Sequence, residues 1–208
     1  MTVNLLEKTK RIQRAVGAAE DGIYGNETAD MLLRKLGVSL PLIGQIAPDV
    51  VKGTGKNITR IFLHCTATRE GQDIDAATIK RWHLAQGWSD IGYHFVIRLD
   101  GTIEIGRDES VPGSHVKGFN TGSIAVVYVG GLNAQGKAKD TRTDAQKKAL
   151  EWLCRELGAA YPAARFMGHR DASPDRNGDG KITSNEWLKE CPCFDVASWL
   201  QSVGIDPR

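Results

Sequence analysis

The chain has 208 residues, 41 % of them hydrophobic and 25 % charged, enough for one catalytic-sized domain and a small appendage. A fold of this length buries roughly 70 % of its unfolded-chain surface and needs no disulfide scaffold. Its 27 Lys+Arg against 25 Asp+Glu leave a net charge of +2, too little for a nucleic-acid binder, and its apolar content excludes a disordered chain.

In chain order, Leu5, Leu6, Ile12 and Val16 recur at helical spacing, and Met31, Leu32, Leu33 and Leu36 repeat the pattern after the turn-rich stretch AAEDGIYGNET. Residues 1–40 are therefore expected to form a small helical module. Residues 41–57, with their prolines and glycines, read as a linker of which part packs on the next domain. From residue 58 to 208 the pattern alternates between strand and helix. Ile58 to Leu63 is an apolar strand that ends at His64. Ala76 to Gln86 reads as a helix, and Trp82 and Trp88 read as core anchors rather than sugar platforms. His94 to Leu99 and Thr102 to Ile105 flank Asp100-Gly101, a two-residue hairpin signal.

Ile124 to Val129 reads as a buried strand, Asp144 to Leu157 as a long amphipathic helix, Ala164 to Met167 as a short strand, and Val196 to Val203 as the last helix. This order predicts an α/β fold, a mixed central β-sheet flanked by helices. The longest apolar runs are strand-sized, so no membrane span is expected. Charges at Glu7, Lys8, Lys10, Arg11 and Arg14 interrupt any secretory core, so synthesis in the cytoplasm is expected. The four cysteines then read as thiols.

Three of the chemistry-bearing residues are ligand types suited to zinc. His64 and His169 each close a predicted strand, and Cys191 precedes the last helix. Two imidazoles and a thiolate would leave a fourth tetrahedral position for water, the catalytic arrangement; on ligand types alone, His64 and His169 read equally well as hydrogen-bonded strand-end residues. Cys193 lies within reach on the same loop. Cys65 adjoins a ligand but faces the other side of its strand, so it reads with Cys154 as a core thiol.

The blocks HCTAT, RWHLAQGWSDIGYHFVIRLDGTIEIGR, GSHVKGFNTGSIAVVYVGG, GHRD and KECPCFD resemble, in order and spacing, the zinc amidases of the phage-lysozyme type. These N-acetylmuramoyl-L-alanine amidases are related to the peptidoglycan recognition proteins. The resemblance implies hydrolysis of the amide between the muramic acid lactyl group and L-alanine, with peptidoglycan as partner. It implies His64, His169 and Cys191 as zinc ligands, and Tyr93 and Lys189 as the catalytic residues that do not bind the metal. Cys191, rather than Cys193, keeps the spacing to Lys189, Pro192, Phe194 and Asp195. His115 either lines the substrate cleft or holds its glycine-rich loop. With no secretory core, a phage-type endolysin that reaches the cell wall after release during lysis fits best, with a cytoplasmic wall-recycling amidase as the alternative, and a monomer is expected. A non-catalytic receptor on the same fold would lack the ligand cysteine.

Two further features stand beside this pattern. Residues 175–186 read DRNGDGKITSNE, which matches D-x-[DN]-x-[DN]-G-x₅-E at every defined position. Asp175, Asn177, Asp179, the Lys181 carbonyl and Glu186 are thus expected to bind calcium in an insertion between two zinc ligands. At the other end of the chain, IQRAVGAAEDGIYGNETADMLLRKLG resembles helical peptidoglycan-binding modules, which implies tethering to the wall.

Overall fold

The computed structural model describes residues 5–17, 50–54 and 56–208. The chain divides into two compact units, residues 1–41 and 42–208. In the first, α1 spans Leu5–Val16. The second helical stripe around Met31 to Leu36 and the turn before it lie outside the described residues.

The second unit is built on a five-stranded sheet. Its strands are β1 (Arg60–Cys65), β3 (Phe95–Ile97), β4 (Ile103–Ile105), β5 (Ser123–Tyr128) and β7 (Arg165–Gly168), in the order β4-β3-β5-β1-β7. β3 and β4 pair antiparallel; every other neighbouring pair is parallel. A two-stranded parallel ribbon, β2 (Thr68–Arg69) with β6 (Gly131–Leu132), adds a feature too short for periodicity to detect. The helices are α2 (Ala76–Ala85), α3 (Asp144–Ala160) and α4 (Val196–Ser202), with a 3₁₀ turn over His169–Ala172.

Central strands in a parallel sheet are covered on both faces, and β5 is buried along its whole length. One face, with Ile61, Leu63, Phe95, Ile97, Ile124, Val126 and Tyr128, packs against Leu150, Leu153 and Leu157 of α3 and Val196 and Leu200 of α4. The opposite face joins Val96 and Val127 to Ile79 of α2 and to Ile91. Because strand side chains alternate, Cys65 falls on the α3 face and His64 on the other. Cys154 is fully buried in that same core.

Helix starts follow their caps. The Asp75 side chain accepts from Thr78 N–H at the start of α2. Thr143 and Gln146 form a reciprocal capping box at α3, and Asp195 accepts from Ser198 N–H at α4. The hairpin differs from its expected form. Arg98 N–H reaches the Thr102 carbonyl and Gly101 N–H the Arg98 carbonyl, so the loop has three residues, Leu99 to Gly101. Gly101 takes φ 87° to rejoin the ladder, which is why glycine follows the aspartate.

Residues 50–54, within the stretch expected to be linker, lie on the second unit. Val50 is in the core, Lys52 N–H donates to Glu109 at 2.8 Å, and Tyr161 O–H donates to the same carboxylate at 2.6 Å. Trp82 and Trp88 are not core anchors. Trp82 is 42 % exposed because the buried face of α2 is filled by Ile79 and His83, and Trp88, beyond the helix end, is 37 % exposed and stacks on the His83 ring.

Gln146 ties α3 to the sheet: its Nε2 donates to the Ile97 and Val129 carbonyls at 3.1 and 2.9 Å, inside the protein. Gln146→Leu would strand both acceptors and open the capping box. It is expected to lower unfolding free energy by roughly 2–4 kcal/mol, read as a lower urea midpoint at unchanged slope.

Candidate active site

The site forms where two adjacent parallel strands end. β1 and β7 pair with Leu63 opposite Gly168, so the next residue along each chain is a histidine, His64 and His169. That register alone brings two imidazoles side by side at the carboxyl edge of the sheet, where open α/β sheets place ligands. The third member comes from the loop before α4. Arg170 N–H donates to the Cys191 carbonyl at 2.8 Å, Tyr128 O–H to the Pro192 carbonyl at 2.7 Å, and the Arg170 guanidinium pairs with the α4 cap Asp195 at 3.1 Å. Gly168 leaves the space: a Cβ there would sit 2.7 Å from Pro192 Cδ.

His64 Nδ1 lies 3.2 Å from His169 Nδ1 and 3.7 Å from Cys191 Sγ. Among the described residues, these three form the group whose ligand atoms all fall within 4.8 Å of one another. A tetrahedral ion with metal–nitrogen bonds of about 2.05 Å and a metal–sulfur bond of about 2.3 Å would set separations of roughly 3.3 and 3.6 Å. The donor set therefore fits a divalent ion of borderline softness. Cys193 belongs elsewhere; its thiol faces Cys65 Sγ at 3.7 Å and the Gly131 carbonyl at 3.2 Å.

Around this trio the structure places the other expected residues. The Tyr93 ring lies 5.2 Å from the His64 ring; burial, with a smaller contribution from Cys191, pushes its phenol above the ordinary range, so it stays protonated. Lys189 shares a cleft of about 470 Å³ with His169, His115, Trp88, Lys117 and Leu188. The cleft edge is apolar in places, with Leu188 63 % exposed and Trp88 stacked on His83 at 4.3 Å. His115 both lines this cleft and touches His64: its Nδ1 is 3.1 Å from His64 Nε2, a contact between blocks 51 residues apart that linear spacing does not reveal. His94 is buried and structural, accepting from Ala125 N–H through Nδ1.

The carboxylates of residues 175–186 do not converge on a common point in the way the trio does. Asp175 accepts from Gly178 and Gly180 N–H, Asp179 from Lys181 N–H, and Glu186 from Arg176 and Thr183 N–H. Asn177 Oδ1 likewise accepts from Asp179 N–H. Just beyond this loop the chain is docked, where Trp187 stacks on Arg170 at 4.1 Å and Leu188 N–H donates to Ser173.

The family described as N-acetylmuramoyl-L-alanine amidase matches residues 54–182. The chain belongs to that family. Relatives include the endolysin of Enterobacteria phage K11, 41 % identical over 144 residues (69 % of this chain, 86 % of the relative). The endolysin of Klebsiella phage KP32 is 43 % identical over 143 residues, with 69 % and 85 % covered. Among solved structures, the N-acetylmuramoyl-L-alanine amidase LysC from Clostridium intestinale URNW superimposes with a TM-score of 0.55 at 28 % identity, covering 72 % of this chain and 87 % of that one. The mixed sheet and its flanking helices are the fold of this family. The family match ends at residue 182, so Cys191 is placed beside His64 and Lys189 on the cleft wall by the structure alone. No helix among the described residues is long and apolar enough to cross a membrane.

Burial sets the proton inventory. It lowers His64 well below its usual value, with His115 and His169 adding to the effect, and it takes His94 and His169 to about 4 and His115 to about 3. In the unfolded chain these rings titrate near 6.5. As pH falls below that, the unfolded state takes up protons that the folded state refuses, so stability is whole above 6.5 and drains toward 4. Chelator-treated protein is expected to lose on the order of a few kcal/mol between pH 7.5 and 4.5, read from urea midpoints. A flat profile would contradict the buried neutral rings.

Proposed function

We propose that the chain hydrolyses the amide joining N-acetylmuramic acid to L-alanine in peptidoglycan, using zinc held by His64, His169 and Cys191. The observation that carries this reading is the approach of three ligand atoms to 3.2 and 3.7 Å beside an open cleft. Zinc bound there would supply Lewis acidity and lower the pKa of a coordinated water toward neutrality.

The chain's own residues supply the rest. Amide hydrolysis passes through a tetrahedral oxyanion, and preorganised donors aimed at it lower the barrier. Tyr93, held protonated by burial, is a donor rather than a base at neutral pH. Lys189, an ammonium on the cleft wall, stabilises the same negative charge. The 470 Å³ cleft accepts the glycan and stem peptide on either side of the scissile bond. Relatives named endolysins support a role in degrading the cell wall at lysis, and the N-terminal module would tether the enzyme to that insoluble polymer.

Purified sacculi digested with the wild-type protein should yield new L-alanine amino termini and no new reducing sugars. Cys191→Ala should release none above background, and Tyr93→Phe should retain metal while losing about 100-fold or more in turnover. New reducing ends from the wild type would replace this reading with a glycosidase.

Calcium in residues 175–186 is proposed on the complete match of that segment to the calcium-loop pattern. Its position adds a consequence. The loop ends at Glu186, which is followed by Trp187 stacked on Arg170 and then by Lys189 and Cys191, so ordering the loop would order the last two site residues. Removing calcium with EGTA should lower the melting temperature and turnover while zinc remains bound. Unchanged melting and turnover would rule the calcium role out.

A further inference from the structure

His64 has two ring nitrogens and both are engaged. Nδ1 faces His169 and Cys191, while Nε2 faces His115 Nδ1 at 3.1 Å. From His115 the chain of contacts continues inward: Nε2 lies 3.1 Å from Ser123 Oγ, and that hydroxyl donates to the Asn120 carbonyl at 3.1 Å. A carbonyl can only accept. The Ser123 proton is therefore committed to Asn120, and the hydroxyl oxygen is left to accept from His115 Nε2–H. A neutral imidazole carries one proton, so His115 Nδ1 is bare and must accept from His64 Nε2–H. His64 is then left with its lone pair on Nδ1, the atom that points at the other two ligands.

We infer that His115 is a positioning residue for the metal site: with Ser123 and the Asn120 carbonyl it fixes His64 as the Nε2–H tautomer and aims its Nδ1 lone pair at the metal. The inference rests on the zinc reading proposed for this site. The terminus of the relay is itself rigid, because the Asn120 side chain accepts from both His115 N–H and Val116 N–H, at 2.9 and 3.0 Å. One residue thus holds the backbone that carries His115 and closes the hydrogen-bond chain behind it. Outer partners of metal-bound histidines fix ring orientation and tautomer, and their loss typically weakens metal binding 10- to 100-fold. Here the partner is a second imidazole rather than the more usual carboxylate, so no extra negative charge is placed behind the ligand.

The tautomers can be read without mutation or metal. In a long-range ¹H–¹⁵N spectrum of the metal-free full chain at pH 7.5, His64 and His115 should both appear protonated at Nε2. An Nδ1–H signature on His115 would overturn the inference. Zinc affinity, measured by competition with a chromophoric chelator, should then fall about 10- to 100-fold in His115→Leu. It should recover in His115→Asn, whose Oδ1 occupies the place of Nδ1, and fall several-fold in Ser123→Ala, which leaves His115 in place. Wild-type zinc affinity in both His115→Leu and Ser123→Ala, with only KM for peptidoglycan altered, would make His115 a substrate residue instead. If the wild-type chain binds no zinc, the metal reading fails, while the tautomer spectrum still tests the relay by itself.

Discussion

Three potential ligand atoms, two imidazole nitrogens and one sulfur, lie within 4.8 Å of one another. Acceptors brought this close repel one another unless a proton or a cation lies between them, so the rest of the fold must hold them together. The parallel pairing of β1 with β7 does the first part by putting His64 and His169 at equivalent positions on adjacent strands. The loop before α4 does the second part, pinned by Arg170, Tyr128 and the Asp195 cap. Each of these contacts comes from a different segment, so the site forms only when the whole sheet edge has folded.

The two faces of the sheet divide the labour. The α3 and α4 face is a dense apolar core, and it also takes up the Cys65 and Cys154 thiols. The α2 face carries a chain of ring contacts that runs from His83 to Tyr93, His64 and His115. Burial keeps these imidazoles neutral, which is the protonation state a metal ligand and its supporting partner require. The same burial makes the Tyr93 phenol a donor. A single physical cause, exclusion of water from one side of the sheet edge, thus sets the protonation of His64, His115 and Tyr93 together.

Much of the architecture was legible in the chain. The strands at 60–65, 123–128 and 165–168 are runs of apolar residues, and α3 carries a wide apolar stripe behind a Thr–Gln capping box. Local patterning failed where a residue's partner lies far along the chain. Trp82 and Trp88 have core chemistry, but α2 turns other residues inward. The ribbon of β2 and β6 has two residues per strand, below any period. The hairpin at Asp100-Gly101 was visible as a turn, yet the placement of its bonds, and so its three-residue length, depends on how β3 and β4 pair.

By itself the sequence determined which candidate metal-ligand residue types are present, the order of the elements that carry them and the side of β1 that each residue faces, because side-chain alternation and apolar periodicity are local properties of the backbone. Only the tertiary structure decided the rest. It set the register that lines up His64 with His169, separated Cys193 from the trio, and turned His115 toward His64 rather than wholly toward the cleft. Those outcomes depend on contacts between segments 51 to 128 positions apart, whose geometry is set by packing and hydrogen-bond direction, and spacing along the chain encodes neither.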